Sequence, residues 1–165
     1  MSQRDGARRL IIEGDSQYVG EWKGDRKHGF GTLTRGKYRY EGEFSQGKRH
    51  GKGVLWVGDK KVYAGDWVEG WRDGHGATPD YVGEFANNAP HGRGATSDYS
   101  GEWKNGKREG RGTCEEFSGE WSNDKKHGTG VLTTSRGVIH GTWSNGDLVN
   151  GTLYAQLPVL SKLEG

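Results

Sequence analysis

One five-residue pattern, Tyr-x-Gly-Glu-Trp, keeps returning along this chain and limits what the rest can be. It stands at Tyr18–Trp22, Tyr40–Phe44, Tyr63–Trp67, Tyr81–Phe85, Tyr99–Trp103, Phe117–Trp121 and, in altered form, Ile139–Trp143. Seven residues after the last aromatic of the first six copies comes a glycine: Gly29, Gly51, Gly74, Gly92, Gly110 and Gly128. In the seventh copy the interval is eight, at Gly151. Self-similarity of this kind marks an array of small units that bury surface only against their neighbours. Such arrays usually serve as binding surfaces, so an enzyme is the less expected reading.

The intervals say how each unit folds. Successive pentads begin 22, 23, 18, 18, 18 and 22 residues apart. All of this variation falls between the second glycine of Gly-x-Gly and the next pentad. A segment that tolerates deletion is a hairpin tip, and the constant segment is the packed part. Each unit therefore reads as a β-hairpin: a first strand from Gly-x-Gly (Gly29-Phe30-Gly31), a glycine-bearing turn (Arg35-Gly36-Lys37) and a second strand holding the pentad. Helix is disfavoured, because each glycine costs roughly 1 kcal/mol in a helix interior. The three short units predict low walls in the middle of the array and tall walls at its ends.

Strand period two puts the Tyr, Gly and Trp of each pentad on one face and the variable residue and Glu on the other. The glycines of the first strand leave room there for a neighbour's ring. Residues 1–7 read as a lead, 8–153 as the repeat array, and 154–165 as a cap or tail. Leu157, Leu160 and Leu163 carry helical spacing, so a short C-terminal helix is one reading of that tail.

Composition agrees with rings laid over glycines. Gly accounts for 31 of 165 residues, against a usual share of roughly 7%. Three prolines and no Gly-X-Y period exclude collagen. The apolar share is only 30%, but seven Trp, seven Tyr and four Phe contribute to it, and each such ring buries about 150–250 Å². A net charge of +2 with 28% charged residues does not call for nucleic acid. Cys114 stands alone, so no internal disulfide forms. Met1–Gly6 has no apolar stretch of the kind a secretory signal needs, and a cytoplasmic location is expected.

Candidate chemistry dissolves into the repeat. His28, His50, His91 and His127 share one repeat position, but equivalent positions lie two strands, or roughly 10 Å, apart, too far to share a metal ion. The stretches beginning at Gly42 and Gly101 approach a phosphate loop, yet Arg49 and Arg108 stand where a hydroxyl is required and no helix follows. Glu21, Glu43, Asp66, Glu84, Glu102 and Glu120 recur opposite the rings, where cross-strand ion pairing or solvation accounts for them. No catalytic residue, metal or cofactor is assigned.

Tyr-Val-Gly-Glu-Trp at Tyr18–Trp22, followed by Lys27-His28-Gly29-x-Gly31, resembles the MORN repeat (membrane occupation and recognition nexus). The match spans about residues 8–153. The resemblance implies an all-β fold: an elongated, single-layer, twisted antiparallel sheet of about seven successive β-hairpins, curved into an open groove. It also implies a scaffold or protein-binding role in cytoskeletal, ciliary or flagellar assemblies, with a partner helix in the groove.

Tyr18, Trp22, Tyr40, Phe44, Tyr63, Trp67, Tyr81, Phe85, Tyr99, Trp103 and Trp121 should line one face of such an array. A single-layer sheet has no second layer to cover them, so they are read here as a partner-binding groove, with core packing as the competing reading. An amphipathic helix or a cytoskeletal or axonemal protein is the expected partner. Trp56 and Trp71, outside the repeat pattern, are candidate surface anchors. Lys27, Lys48, Arg49, Lys107, Arg108, Lys125 and Lys126 gather in equivalent loops. They form a basic edge that allows weak contact with an anionic membrane, the alternative reading. Exposed end strands also allow a homodimer.

Overall fold

The computed structural model describes residues 9–155, all in strands and tight turns. The strands are β1 (Arg9–Glu13), β2 (Ser16–Lys23), β3 (Arg26–Arg35), β4 (Tyr38–Ser45), β5 (Lys48–Val57), β6 (Lys60–Val68), β7 (Trp71–Ala77), β8 (Val82–Ala86), β9 (Ala89–Ala95), β10 (Tyr99–Lys104), β11 (Lys107–Cys114), β12 (Phe117–Ser122), β13 (Lys125–Thr134), β14 (Gly137–Ser144) and β15 (Asp147–Ala155). They form one antiparallel sheet of 15 strands whose order in space is their order in sequence. β1 joins β2 through Gly14-Asp15 and completes the hairpin of the first pentad. The helix expected around Leu157 lies outside the described residues. β3 to β6 and β13 to β15 run 8–10 residues, while β7 to β12 run 5–8.

The two long edges carry different turns, and only the second edge repeats one type throughout. At one edge Gly36 (φ 55) opens the two-residue turn between Arg35 and Tyr38. Positive φ at the first turn residue alone is the type II′ pattern, which matches the twist of paired strands. At the other edge both turn residues have positive φ, the type I′ pattern: Gln46-Gly47 (51 and 85), Asn105-Gly106 (51 and 81) and Asn123-Asp124 (49 and 68) among them.

This second edge corrects the sequence reading. Pairing Phe44 directly with Gly51 would leave residues 45–50 as a loop. Instead Gly42 pairs with Gly53, the register steps by two residues, and Glu43 pairs with His50 and Phe44 with Arg49. The first strand of each unit therefore starts before Gly-x-Gly, and the basic residues read as loops are strand residues beside a tight turn.

One glycine row crosses the sheet at right angles to the strands. Gly20, Gly31, Gly42, Gly53, Gly65, Gly76, Gly83, Gly94, Gly101, Gly112, Gly119, Gly130, Gly141 and Gly151 pair in succession. On one face the pentad tyrosines lie flat over this row. A Cβ at Gly53 would meet Tyr40 Oη at 2.2 Å. Glycine here makes room for a ring. The first glycine of Gly-x-Gly has a different reason. Gly51 sits at the register step with φ 57, and a Cβ there would meet the Glu43 carboxylate at 2.5 Å. Its role is a backbone bend under a carboxylate, in place of the ring contact read from the sequence.

Candidate interaction surface

The rings build a zipper. Tyr18 meets Trp22 of its own unit and Phe44 of the next, Tyr40 meets Phe44 and Trp67, and the pattern continues to Phe117 with Trp143. Centroids lie 4.9–5.5 Å apart with interplanar angles of 71–90°. Such edge-to-face pairs add about 0.5–1.5 kcal/mol each beyond burial. Tyrosine hydroxyls donate to the backbone carbonyl three residues on, as from Tyr40 to Glu43 O at 3.0 Å and from Tyr63 to Asp66 O at 2.9 Å. Indole N–H groups donate to glycine carbonyls, Trp67 to Gly53 O and Trp121 to Gly112 O, both at 3.2 Å. Burial raises the phenols of Tyr63, Tyr81 and Tyr99 to about 12 and that of Tyr40 further.

Of the rings assigned to a docking groove, Tyr18, Trp22, Tyr40, Phe44, Tyr63, Trp67, Tyr81, Phe85, Tyr99 and Trp121 are at most 6% exposed, and Trp103 is half-buried. They are the core of the sheet. What covers them is the supposed basic edge. Lys27 lies over Tyr18, Arg49 over Tyr40 and Trp67, Arg72 over Tyr63 and Phe85, Arg108 over Tyr99 and Trp121, and Lys126 over Phe117, all 4.2–5.8 Å from a ring centroid. Each cation sets its charged end over a ring face, and burial there lowers the pKa of the Arg49 guanidinium. Arg72, which the sequence reading left out, belongs to this lid. The signal was its position five residues after Trp67, the same as Arg49 after Phe44. Of the other edge residues, Lys48 pairs with Glu69 at 2.7 Å, Lys107 reaches Asn123 Oδ1 at 3.5 Å, and Lys125 is exposed.

The opposite face is the open one. The pentad carboxylates stand there, at the register steps. Glu43 accepts from Lys52 N–H at 2.8 Å, Asp66 from His75 N–H at 2.8 Å, Glu84 from Arg93 N–H at 2.8 Å and Glu102 from Arg111 N–H at 3.0 Å. Their main partner is the backbone of the step. One of them also makes the expected cross-strand ion pair, Lys52 to Asp66 at 2.5 Å. Burial raises the Asp66 carboxyl, but Lys52 and the His75 N–H outweigh it and hold the group below its usual value.

Register places two rows on this face, beside the bare glycine row. One is mostly small, with a single carboxylate: Thr32, Glu41, Val54, Ala64, Ala77, Val82, Ala95, Ser100, Thr113, Ser118 and Val131. The other alternates in charge: Glu43, Lys52, Asp66, His75, Glu84, Arg93, Glu102 and Arg111. Between them lie three shallow depressions of about 390, 430 and 650 Å³, strung along the glycine row. Leu10, Ile12, Val19, Phe30, Val82 and Trp71, all 42–60% exposed, project from the same face. Trp71 is thus the exposed one of the two extra tryptophans, whereas Trp56 is partly buried beneath Arg39 at 4.9 Å. His28, His50 and His91 repeat in register, each with a buried Nδ1 that has no hydrogen-bond partner. Among the described residues no three His, Cys, Asp or Glu side chains gather as a metal site would require.

The family model of the MORN repeat matches this chain six times, at residues 18–38, 40–60, 63–77, 81–95, 99–115 and 117–139. No curated relative matches it.

Proposed function

This chain belongs to the MORN-repeat family, and we propose that it is a non-catalytic interaction module holding a partner segment along the face opposite its rings. The supporting observation is the small-residue trough: a straight path across the sheet, floored by paired glycines and bordered by alternating charge. Its own cations cover the ring face along most of its length, so the trough is the longer path open to a partner.

An amphipathic helix suits the trough. Strands repeat every 4.7–4.9 Å or so, and a helix advances about 5.4 Å per turn. Anchors at i, i+3 or i+4, and i+7 then meet successive strands over two or three turns before the mismatch accumulates. A cytoplasmic filament or axonemal component is the partner class we assign, following the family resemblance.

A photo-crosslinking residue at Ser118, on the trough, compared with one at Lys125, on the edge, tests this reading. Protein adducts from Ser118 that disappear in Val82→Asp, Ala95→Asp are expected. Adducts from Lys125 alone would overturn it. So would binding confined to phosphatidylserine vesicles and lost between low and physiological salt, the behaviour of a basic membrane-facing edge.

A further inference from the structure

Between β3 and β13 the cation lid over the rings is interrupted at one hairpin. Five residues after the last pentad aromatic, β3, β5, β7, β11 and β13 carry Lys27, Arg49, Arg72, Arg108 and Lys126, whereas β9 carries Pro90. The backbone there is unchanged. Gly106 N–H donates to Pro90 O at 2.8 Å, as Gly70 N–H does to Arg49 O at 2.9 Å and Asn88 N–H to Arg72 O at 3.0 Å. Pro90 therefore stands in the cation's register and brings no charge. The whole tip around it, Ala86-Asn87-Asn88-Ala89-Pro90, is uncharged.

The consequence falls on two rings. Arg49 spans Tyr40 and Trp67, and Arg108 spans Tyr99 and Trp121. The equivalent pair beside Pro90 is Tyr81 and Trp103, which meet edge-to-face at 5.2 Å. Among the described residues no lysine or arginine lies over either. Trp103 is only partly buried, whereas Trp22, Trp67, Trp121 and Trp143 are buried. Arginine charges lower the phenols of Tyr40, Tyr63 and Tyr99 against burial, and no such charge acts on Tyr81.

We propose that Trp103, Tyr81 and the Gly106 carbonyl form a receptor for one arginine side chain of a protein partner. The neighbouring units supply the argument for arginine. In two of the three other units whose next ring is a tryptophan, the lid is a guanidinium stacked on that tryptophan, at 4.2 Å (Arg49 on Trp67) or 4.4 Å (Arg108 on Trp121), whereas the lysine of the third, Lys126 before Trp143, lies over Phe117. Each guanidinium also donates through Nη2 to the carbonyl of the next turn's second residue, Gly70 at 2.8 Å or Asp124 at 3.0 Å. Gly106 occupies that turn position beside Trp103. A planar fork that stacks and donates at once is a property of arginine and not of lysine. The site lies on the ring face and does not rest on the trough reading.

The test follows the Trp103 indole N–H by NMR during titration with argininamide, and separately with its neutral isostere citrullinamide, at constant ionic strength. Argininamide is expected to shift Trp103 about fivefold more than citrullinamide does, and more than it shifts the other indoles. In Pro90→Arg the chain supplies its own guanidinium, so the Trp103 response should vanish and thermal stability should rise. Pro90→Ala, with no charge added, should keep the wild-type response. Equal shifts from argininamide and citrullinamide would overturn the proposal, and this comparison needs only the wild-type chain. An undiminished response in Pro90→Arg would overturn it too. A response to tetramethylammonium as large as that to argininamide would overturn the assignment to arginine.

Discussion

At the scale of single residues, glycine serves this fold in two ways that substitution separates. At Gly53 an added Cβ would lie 2.2 Å from Tyr40 Oη and 2.4 Å from its Cζ, and the ring is locked by Phe44 and Trp67. Gly53→Ala should cost about 3 kcal/mol, as overpacking against a rigid group does. Gly58, with φ 58 and nothing within 4 Å, meets no neighbour, and Gly58→Ala should cost only the left-handed backbone term of about 1 kcal/mol. Urea unfolding of both variants checks the ordering, and equal losses would show that ring contact is not what Gly53 provides. The tyrosines make a pH prediction. Tyr63, Tyr81 and Tyr99 are raised from 10.0 to about 12 in the folded chain. Unfolding releases each to its ordinary value, so the folded state is favoured fully below pH of about 10 and loses that advantage as pH rises towards 12. The urea midpoint should stay unaffected by these groups near neutrality and fall steeply above about pH 10. A midpoint that holds steady to pH 12 would contradict their burial.

At the scale of the element, the unit is a hairpin closed by a carboxylate at a register step. Removing the Glu43 side chain leaves the step open and Lys52 N–H without its acceptor. Glu43→Ala should destabilise by about 1–2 kcal/mol, and Glu43→Gln, which keeps an acceptor oxygen, by clearly less. If the two variants unfold at the same denaturant concentration, the carboxylate is only a solvated surface charge. This element also shows how far the sequence could be read. Period two in Tyr40-x-Gly42-x-Phe44 was enough to put the rings on one face, because a strand allows no other parity. The register step was not legible. Nothing in Phe44 to Gly51 states that Arg49 pairs with Phe44, so residues 45–50 read as a loop and their cations as a free edge. Burial followed the same limit. A lone sheet face was expected to be open, and only the geometry of Arg49 over Trp67 reveals that the chain carries its own cover.

At the scale of the molecule, each strand touches its sequence neighbours and the first and last strands do not meet. Fifteen strands at a spacing of about 4.8 Å span nearly 70 Å before curvature. Small-angle scattering should therefore give a radius of gyration of about 20 Å or more, against roughly 15 Å for a globule of this length. Apart from the gap at Trp103, the rings form an enclosed core and the opposite face is the open one. Solvent paramagnetic relaxation of the assigned indole ring protons, with a soluble gadolinium chelate, measures this directly. Strong attenuation is expected at Trp71, an intermediate effect at Trp103, and protection at Trp22, Trp67, Trp121 and Trp143. Uniform attenuation of these four to the level of Trp71 would mean that the rings are an open docking groove, and would contradict the enclosed core.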